Sequence, residues 1–239
     1  MAAVTLLEAR GLTRHFGGLK AVDGVDFDLA EGEIHALIGP NGAGKTTFVS
    51  LLSGRTPAQS GTIRFAGRDI TRQPAHARVR QGIAYTFQIT QVFANLTTFD
   101  NVALAVQGRG VSKRLARETR AALDRVGLGD RADEVAGTLS YGHQRLLEIA
   151  MGLALNPRLL ILDEPTQGLA LGEIETFKRL IEGLVPKRTV LLIEHNMDVV
   201  MDLAQRITVL NFGQVLATGT PEAIRANAAV QAAYLGGQA

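Results

Sequence analysis

Short apolar runs separated by polar or glycine-rich turns organise this chain. Ile34–Ile38 is mostly apolar, and Leu159–Leu162 and Val190–Ile193 are apolar throughout. Continuous apolar runs of this length are typical of strands buried on both faces, as in a parallel sheet. A stretch with helical character, Glu173–Leu184, lies between the last two runs. The β-α-β order implies a right-handed crossover, so the pattern predicts an α/β fold.

The segments around these strands predict further helices and a hairpin. Residues 45–53 form a helical pattern directly after a glycine-rich loop, and the middle of the chain, about 95–155, is mainly helical in pattern. Residues 207–217 contain two apolar runs around an Asn-Phe-Gly turn, which indicates a hairpin. Thr220 followed by Pro221 predicts a helix N-cap and a first helical residue.

Composition narrows the class of protein. The 239 residues suffice for one sizeable domain, and a net charge of +2 is too small to indicate a nucleic-acid partner. The absence of cysteine excludes disulfides, thiolate metal sites and thiol catalysis. The N-terminus lacks the pattern of a secretory signal, and no apolar run approaches the about 18 residues of a membrane span. If the protein works at a membrane, we expect other chains to cross it.

One basic stretch leaves two interpretations open. Its cationic side chains, with acidic residues interspersed, are Arg109, Lys113, Arg114, Arg117, Arg120 and Arg125. Contact with nucleic acid or lipid headgroups is one interpretation, and the solvated face of a helix is the other. The mixture of charges favours the solvated face.

The glycine-rich loop at residues 39–46 fits the pattern G-x-x-x-x-G-K-[ST]. Glycines allow backbone N–H groups to approach a triphosphate, and the following helix directs its unpaired N–H groups at the anion. Lys45 would contact the β- and γ-phosphates, and the Thr46 hydroxyl would ligate Mg²⁺. The expected nucleotide contacts of the loop are Asn41, Gly42, Ala43, Gly44, Lys45, Thr46 and Thr47.

Acidic residues and a histidine follow two predicted core strands. Asp163 and Glu164 come directly after Leu159–Leu162, and His195 comes shortly after Val190–Ile193. The carboxyl ends of parallel strands are where open α/β sheets bind ligands. We therefore expect Asp163 to hold Mg²⁺, Glu164 to activate the attacking water, and His195 to bond the γ-phosphate and the water. The alternative for the acidic pair is an N-cap of the next helix.

A second helix start offers another anion site. Leu139–Gln144 precedes an amphipathic segment, Arg145–Leu155, that we predict to be helical. Ser140 is a good N-cap residue, and Gly142 leaves the N–H groups of the first turn open. Alone, the pattern indicates an ordinary helix start. Beside a phosphate loop, it indicates a second anion-binding helix terminus.

Together these motifs resemble the ATP-binding-cassette superfamily along the whole chain. In chain order they are Phe16 at the adenine-stacking position, Gly39–Thr46 as phosphate loop, Gln88 as glutamine loop, Leu139–Gln144 as signature motif, Asp163-Glu164, and His195 as switch histidine. The resemblance implies ATP hydrolysis with Lys45, Glu164 and His195 in catalytic roles. It also implies ATP contacts from Phe16, Gln88, Ser140 and Gly142, and Mg²⁺ bound by Thr46, Gln88 and Asp163.

The resemblance also implies an architecture. A single cassette, 1–239, would combine a P-loop core with a mostly parallel sheet, an antiparallel β subdomain, and a helical subdomain at about 92–156 that carries the signature motif. The signature motif would complete the ATP site of a second ATPase subunit, so that two ATP molecules lie between two chains. The Gln88 loop and the helical region would meet a membrane subunit.

Within the superfamily, the chain looks most like the ATPases of branched-chain amino-acid importers. The segments that carry this resemblance are Thr86–Gln88 with Val92-Phe93, Leu139–Gly142, Ile193–Met197, and the C-terminal tail at about 219–239. It implies a homodimer or a paralogous sister ATPase, transmembrane permeases, an external solute-binding protein acting indirectly, no nucleic acid, and a peripheral location on the cytoplasmic face of the membrane. A lipopolysaccharide-type export motor, a soluble ATPase of this fold and a phosphoryl-transfer kinase are the alternatives.

Three positions depart from the superfamily pattern. Tyr141 and His143 replace the usual glycine and glutamine of the signature motif, and Ala170 replaces an aspartate that couples the two ATP sites in many members. Ser140 and Gly142, the residues expected to touch phosphate, are retained. We therefore expect ATP binding to be intact and communication between sites to differ.

Overall fold

Two sheets organise the computed structural model, which describes residues 4–86 and 91–235. The strands of the described residues are β1 (Thr5–Phe16), β2 (Leu19–Ala30), β3 (Ile34–Ile38), β4 (Ser60–Phe65), β5 (Arg68–Asp69), β6 (Ile83–Tyr85), β7 (Leu159–Asp163), β8 (Thr189–Ile193), β9 (Arg206–Asn211) and β10 (Gln214–Gly219). An antiparallel sheet has the order β2-β1-β4-β5, and a second sheet has the order β10-β9-β3-β8-β7-β6. In the second sheet only the edge strand β10 is antiparallel.

Helices cover both faces of the second sheet. They are α1 (Lys45–Ser53), α2 (Ala75–Arg80), α3 (Thr98–Gln107), α4 (Leu115–Arg125), α5 (Tyr141–Ala154), α6 (Leu171–Glu182), α7 (Met197–Leu203), α8 (Pro221–Arg225) and α9 (Ala228–Leu235). The mixed α/β class and the largely parallel core sheet expected from the sequence are confirmed. Strands β3, β7 and β8 are buried along their whole lengths, as their continuous apolar runs require.

Local signals located several elements correctly. Helix α1 has the bounds predicted from the glycine-rich loop onward, and the hairpin β9–β10 forms around Asn211-Phe212-Gly213. Thr220 caps α8 by accepting the N–H of Ala223, and Pro221 is its first residue. These predictions held because each depends on residues adjacent in sequence.

Two predicted helix boundaries are wrong. The helix expected at Arg145–Leu155 is α5, which begins four residues earlier at Tyr141 because Ser140 caps it by accepting the N–H of His143. The helix expected at Glu173–Leu184 is α6, which runs from Leu171 to Glu182. The Glu173 carboxylate accepts the N–H of Ala170 and so moves the start to Leu171.

Separate hydrophobic clusters anchor the two halves of the fold. One fills the space between the antiparallel sheet and the core sheet, where Phe48 of α1 packs edge-on against Phe27 at 5.4 Å between ring centroids. Another joins the core sheet to α3, α4 and α5, which lie between β6 and β7 in the chain. The helical region expected at about 92–156 thus contains helices from 98 to 154, and its status as a separate subdomain stays a prediction.

The basic stretch lies on the surface of this helical region. All six cationic side chains of the stretch are exposed, and Arg109 pairs with Glu118 on α4. The exposure agrees with a solvated helix face.

Across residues 4–86 and 91–235, no helix has the length and apolar character needed to span a membrane.

Candidate functional site

The carboxyl ends of three neighbouring strands bring the main candidate residues together. Strand β8 lies between β3 and β7, and all three run parallel. The phosphate loop therefore leaves β3 at the same sheet edge where β7 ends in Asp163 and where Glu194 and His195 follow β8. This is the edge at which open parallel sheets bind ligands. The expected adjacency of these segments is confirmed.

Positive φ values explain the glycines of the phosphate loop, and close backbone packing adds to the constraint at Gly39 and Gly44. Gly39, Gly42 and Gly44 have φ values of 152°, 78° and 98°. A Cβ at Gly39 would overlap the carbonyl oxygen of Leu210, and one at Gly44 would overlap that of Ala21. The Ala43 carbonyl accepts the N–H of Gly213 at 3.0 Å, which ties the loop to the β9–β10 turn. The loop is therefore held from both sheets.

The N-terminus of α1 is electropositive and accessible. No acidic residue lies in its first turn. The partial positive charge of its unpaired N–H groups is therefore not compensated by a side chain of that turn. The Lys45 ammonium donates to the carbonyl oxygens of Gly39 at 2.7 Å and Pro40 at 3.1 Å. Burial lowers the pKa of Lys45, while Glu164 and Asp163 oppose that change. Thr46 is exposed and Thr47 is half-buried.

Asp163 is a buried carboxylate that accepts a hydrogen bond from Tyr85, a residue for which the sequence predicts no role. The Tyr85 hydroxyl at the end of β6 donates to Asp163 Oδ2 at 2.6 Å. Burial raises the pKa of Asp163, and the bond from Tyr85 partly offsets this effect. Burial and the same carboxylate raise the pKa of the Tyr85 hydroxyl. The sequence carries no local signal for this bond, because it joins residues 78 positions apart through the pairing of β6 with β7.

Glu164 occupies a strained turn that several distant groups hold in place. Its φ is 47°, a left-handed value that costs a residue with a Cβ of order 1–3 kcal/mol. Its N–H donates to the Ile193 carbonyl at 2.9 Å. The buried Arg145 guanidinium donates to the carbonyls of Asp163 at 2.6 Å and Glu164 at 2.9 Å. The sequence predicts Arg145 only as the first residue of a helix, with no contact to this turn.

His195 lies beside this turn. Its Nδ1 atom is 3.9 Å from Glu164 Oε1, and its side chain is 61% exposed, whereas that of Glu164 is 19% exposed. Because the His195 side chain is exposed, it can contact a bound molecule without any movement of buried residues. The two side chains are therefore close enough to act on one reacting centre.

The signature motif forms no hydrogen bond with the phosphate loop of its own chain among the described residues. Ser140 is exposed at the N-cap of α5, where its Oγ accepts the N–H of His143 at 3.3 Å. Among the hydrogen bonds of residues 4–86 and 91–235, none joins Ser140 to residues 39–46. The Tyr141 ring lies against Gly168, and the Glu173 carboxylate lies against Gly142. The helix start is thus buttressed by the segment after Glu164.

The remaining candidates lie at the margins. Phe16 ends β1 with 48% of its surface exposed, and the Arg14 guanidinium lies 4.8 Å from its ring centroid. Gln88 falls outside the described residues. The described residues contain no group of three or more His, Cys, Asp or Glu that could hold a metal by themselves. The hydroxyl of Thr46 and the carboxylate of Asp163 are hard oxygen donors, a set that suits Mg²⁺ completed by phosphate oxygens and water.

Comparisons with known proteins agree with this geometry. The family model for the ABC transporter matches residues 22–167, and the model for the branched-chain amino acid ATP-binding cassette transporter matches residues 214–239. The chain is 42% identical to the branched-chain amino acid transport ATP-binding protein BraF of Pseudomonas aeruginosa and 41% identical to LivG of Escherichia coli. Each match covers 97% of this chain and 98% of the relative.

Solved structures give the same assignment. The ADP conformation of an ATP-binding cassette of an ABC transporter superimposes with a TM-score of 0.89 at 27% identity, covering 98% of this chain and 99% of that one. A dimeric cassette bound to ADP and phosphate shares the fold with a TM-score of 0.81 at 24% identity, covering 90% of this chain and 99% of that one. The chain therefore belongs to the ABC transporter family, in which it is a nucleotide-binding, ATP-hydrolysing cassette.

Proposed function

We propose that this chain is the motor subunit of an ABC importer for branched-chain or other hydrophobic amino acids or related small solutes. Two similarities support the solute class. Relatives that match nearly the whole chain are named for branched-chain amino acid transport, and the model that matches the C-terminal tail carries the same description. The observation that carries the motor function is the meeting of phosphate loop, Asp163, Glu164 and His195 at one sheet edge.

ATP binding would use the phosphate loop and the start of α1. Residues 41–47 would direct backbone N–H groups at the phosphates, and the α1 dipole would add to the attraction. Lys45 would exchange its bonds to the Gly39 and Pro40 carbonyls for phosphate oxygens, which restores charge compensation to a partly buried ammonium. Phe16 would stack on adenine because its ring is half-exposed at the end of β1.

A magnesium ion would be held by Thr46, Asp163 and Gln88. When bound, Mg²⁺ neutralises charge that develops on the β- and γ-phosphate oxygens. Tyr85 would keep the Asp163 carboxylate oriented through its bond to Oδ2. The raised pKa of Asp163 fits this role, because a buried carboxylate gains most from a nearby cation.

Hydrolysis would use Glu164 as general base. The left-handed turn, fixed by Arg145, holds the carboxylate at the sheet edge where the γ-phosphate would lie. Glu164 would accept a proton from the attacking water, and His195 would donate a hydrogen bond to a γ-phosphate oxygen. Removing a general base lowers turnover by about 10²–10⁴-fold.

A second ATPase chain would complete each site. The exposed Ser140 and the N–H groups behind it would bind the γ-phosphate held by the other chain, either a second copy or a paralogous sister. Permeases would dock on the Gln88 loop and the helical region at about 92–156. Contact with a solute-binding protein would be indirect, through the permeases. This arrangement would hold the chain on the cytoplasmic face of the membrane.

The direct test compares Glu164→Gln with wild type and with Lys45→Ala. Glu164→Gln should bind a fluorescent ATP analogue with nearly unchanged affinity and hydrolyse ATP about 10²–10⁴-fold more slowly. Lys45→Ala should lose about 1.5–3 kcal/mol of binding, because it removes a charge-assisted contact. Near-normal turnover of Glu164→Gln would show that another group activates water.

Membrane association tests the transporter assignment. When permeases from the neighbouring genes are co-expressed, the chain should co-purify with membranes, and without them it should remain in the soluble fraction. Uptake of radiolabelled leucine by the assembled system tests the solute class. Assembly without leucine uptake would retain the motor function and reject the solute.

A further inference from the structure

The carboxylate of Glu194 joins the turns that carry the two candidate reacting groups. Its Oε1 atom accepts from Thr166 N–H at 2.9 Å and from Thr166 Oγ1 at 2.6 Å. Its Oε2 atom accepts from the N–H groups of His195 at 3.1 Å and Asn196 at 3.3 Å. The residue is 1% exposed. One side chain thus has four hydrogen bonds, divided equally between two segments.

The two segments that Glu194 joins are the turns that carry Glu164 and His195. Thr166 lies two residues after Glu164, in the turn that follows β7, while His195 and Asn196 lie in the turn that follows β8. The backbone ladder between β7 and β8 continues only as far as the bond from Glu164 N–H to the Ile193 carbonyl. Beyond it, the Glu194 carboxylate supplies the direct side-chain link between the two turns.

The energetics also point to a specific arrangement. A buried carboxylate is costly unless hydrogen bonds satisfy it, and four donors meet Glu194. No cation forms an ion pair with Glu194 in the described part of the chain. An apolar residue would suit a packing role equally well without this demand. The observed donors are instead backbone and hydroxyl groups of the turns beside Glu164 and His195.

We propose that Glu194 is a positioning residue that fixes the separation of Glu164 and His195 for hydrolysis, an inference that rests on the roles proposed above for those two residues. It does not touch ATP. It holds the backbone of both turns, so that the two side chains converge on one γ-phosphate. Misplacement of a reacting group by about 1 Å can lower the rate about 10²-fold.

Glu194→Gln is the informative variant because it keeps the size of the side chain. A glutamine places one amide nitrogen where a carboxylate oxygen accepts, so backbone N–H groups on that side lose their acceptor. We expect turnover per ATP-binding site to fall about 10–100-fold, while the Kd for Mg-ATP stays within about 3-fold. Counting binding sites by nucleotide titration removes any contribution from misfolded protein.

Two further variants separate positioning from general stability. Thr166→Val removes one of the four donors and should give a smaller loss of turnover than Glu194→Gln, again with unchanged Mg-ATP affinity. Glu175→Gln changes an exposed carboxylate on α6 and should leave turnover and affinity as in wild type. In a His195→Ala background, Glu194→Gln should add less than its single-variant loss, because one of the two side chains whose separation it fixes is gone.

The outcomes distinguish this inference from the proposed function. If Glu164→Gln keeps normal turnover, the proposed function itself fails. If Glu164→Gln is inactive but Glu194→Gln has wild-type turnover, only the positioning role is overturned. Parallel loss of turnover and Mg-ATP affinity in Glu194→Gln, or fully multiplicative losses with His195→Ala, would also overturn it. Should Glu194→Gln not fold, wild-type turnover of Thr166→Val would reject the role.

Discussion

The ionised carboxylate of Asp163 serves the proposed chemistry of the site but lowers the stability of the fold. Its carboxylate is buried at the end of β7, and burial raises its pKa above the ordinary value of a carboxyl group. The folded chain therefore disfavours the ionised form relative to the unfolded chain. At neutral pH the ionised carboxylate reduces the free energy of unfolding. A charge that destabilises the fold in this way is consistent with the role in Mg²⁺ binding proposed above for Asp163.

Asp163→Asn should therefore stabilise the nucleotide-free protein while it abolishes Mg²⁺-dependent hydrolysis. The asparagine oxygen can still accept from Tyr85, and the desolvation of a charge is relieved. The melting temperature should rise by about 2–4 °C for each kcal/mol gained. The stabilisation of Asp163→Asn relative to wild type should be complete above the folded-state pKa of Asp163. It should decrease as the pH falls towards the ordinary carboxyl pKa.

Thermal unfolding of both proteins between pH 3 and pH 8 tests this prediction, because this range crosses the ordinary carboxyl pKa of about 4. Tyr85→Phe is the matched variant: it removes the hydroxyl and leaves the charge, so it should not stabilise the protein. A melting temperature of Asp163→Asn below wild type at pH 8 would contradict the assigned desolvation penalty.

At the scale of elements, helix α5 does more than present the signature motif. Arg145, in its second turn, forms a buried ion pair with Glu148 at 2.7 Å and donates to carbonyls in the turn after β7. The same turn contacts the start of α5 where the Tyr141 ring meets Gly168. Helix α5 and the turn after β7 therefore form one packed unit within the chain.

Arg145→Ala should destabilise the fold strongly, because it breaks the buried ion pair with Glu148 and removes the donors to the carbonyls of Asp163 and Glu164. Breaking a buried pair by removing one partner costs about 3–5 kcal/mol. Arg158→Ala, which breaks an exposed pair with Glu31, should cost about 0–1 kcal/mol. Urea unfolding of the two variants measures the difference. Equal, small losses would show that Arg145 is not needed to hold the turn.

The elements also show how far sequence alone reached. The phosphate loop, α1 and the ends of β7 and β8 were predictable because glycine spacing and apolar runs are local signals. Ser140 was also correctly predicted as an N-cap, although the helix behind it was expected only from Arg145. The bonds of Glu194 were not predictable, since they depend on Thr166, 28 residues earlier. Contacts between distant segments leave no periodicity to detect.

At the scale of the whole molecule, Ser140 makes no hydrogen bond to the phosphate loop, Asp163, Glu164 or His195 among the described residues. The phosphate loop, Asp163, Glu164 and His195 share the edge of the core sheet, whereas Ser140 is exposed at the start of α5 and bonds only within its own motif among the described residues. Tyr141 and Gly142 are engaged by Gly168 and Glu173 of the same chain. Ser140 is thus available to a second chain, while the base of the motif is fixed.

The measurement that tests this account most directly is ATP-driven dimerisation. Glu164→Gln, which should hold ATP without hydrolysing it, is passed over a size-exclusion column with Mg-ATP, alone and with an equimolar sister ATPase. We expect a dimer with ATP and a monomer without it.

Adding Ser140→Glu should abolish the dimer, because it places a negative charge against the γ-phosphate, a repulsion of several kcal/mol, while nucleotide binding persists. Adding Thr62→Glu, an exposed change on β4, should leave the dimer intact. A Glu164→Gln, Ser140→Glu protein that binds ATP and still dimerises would contradict a site shared between chains.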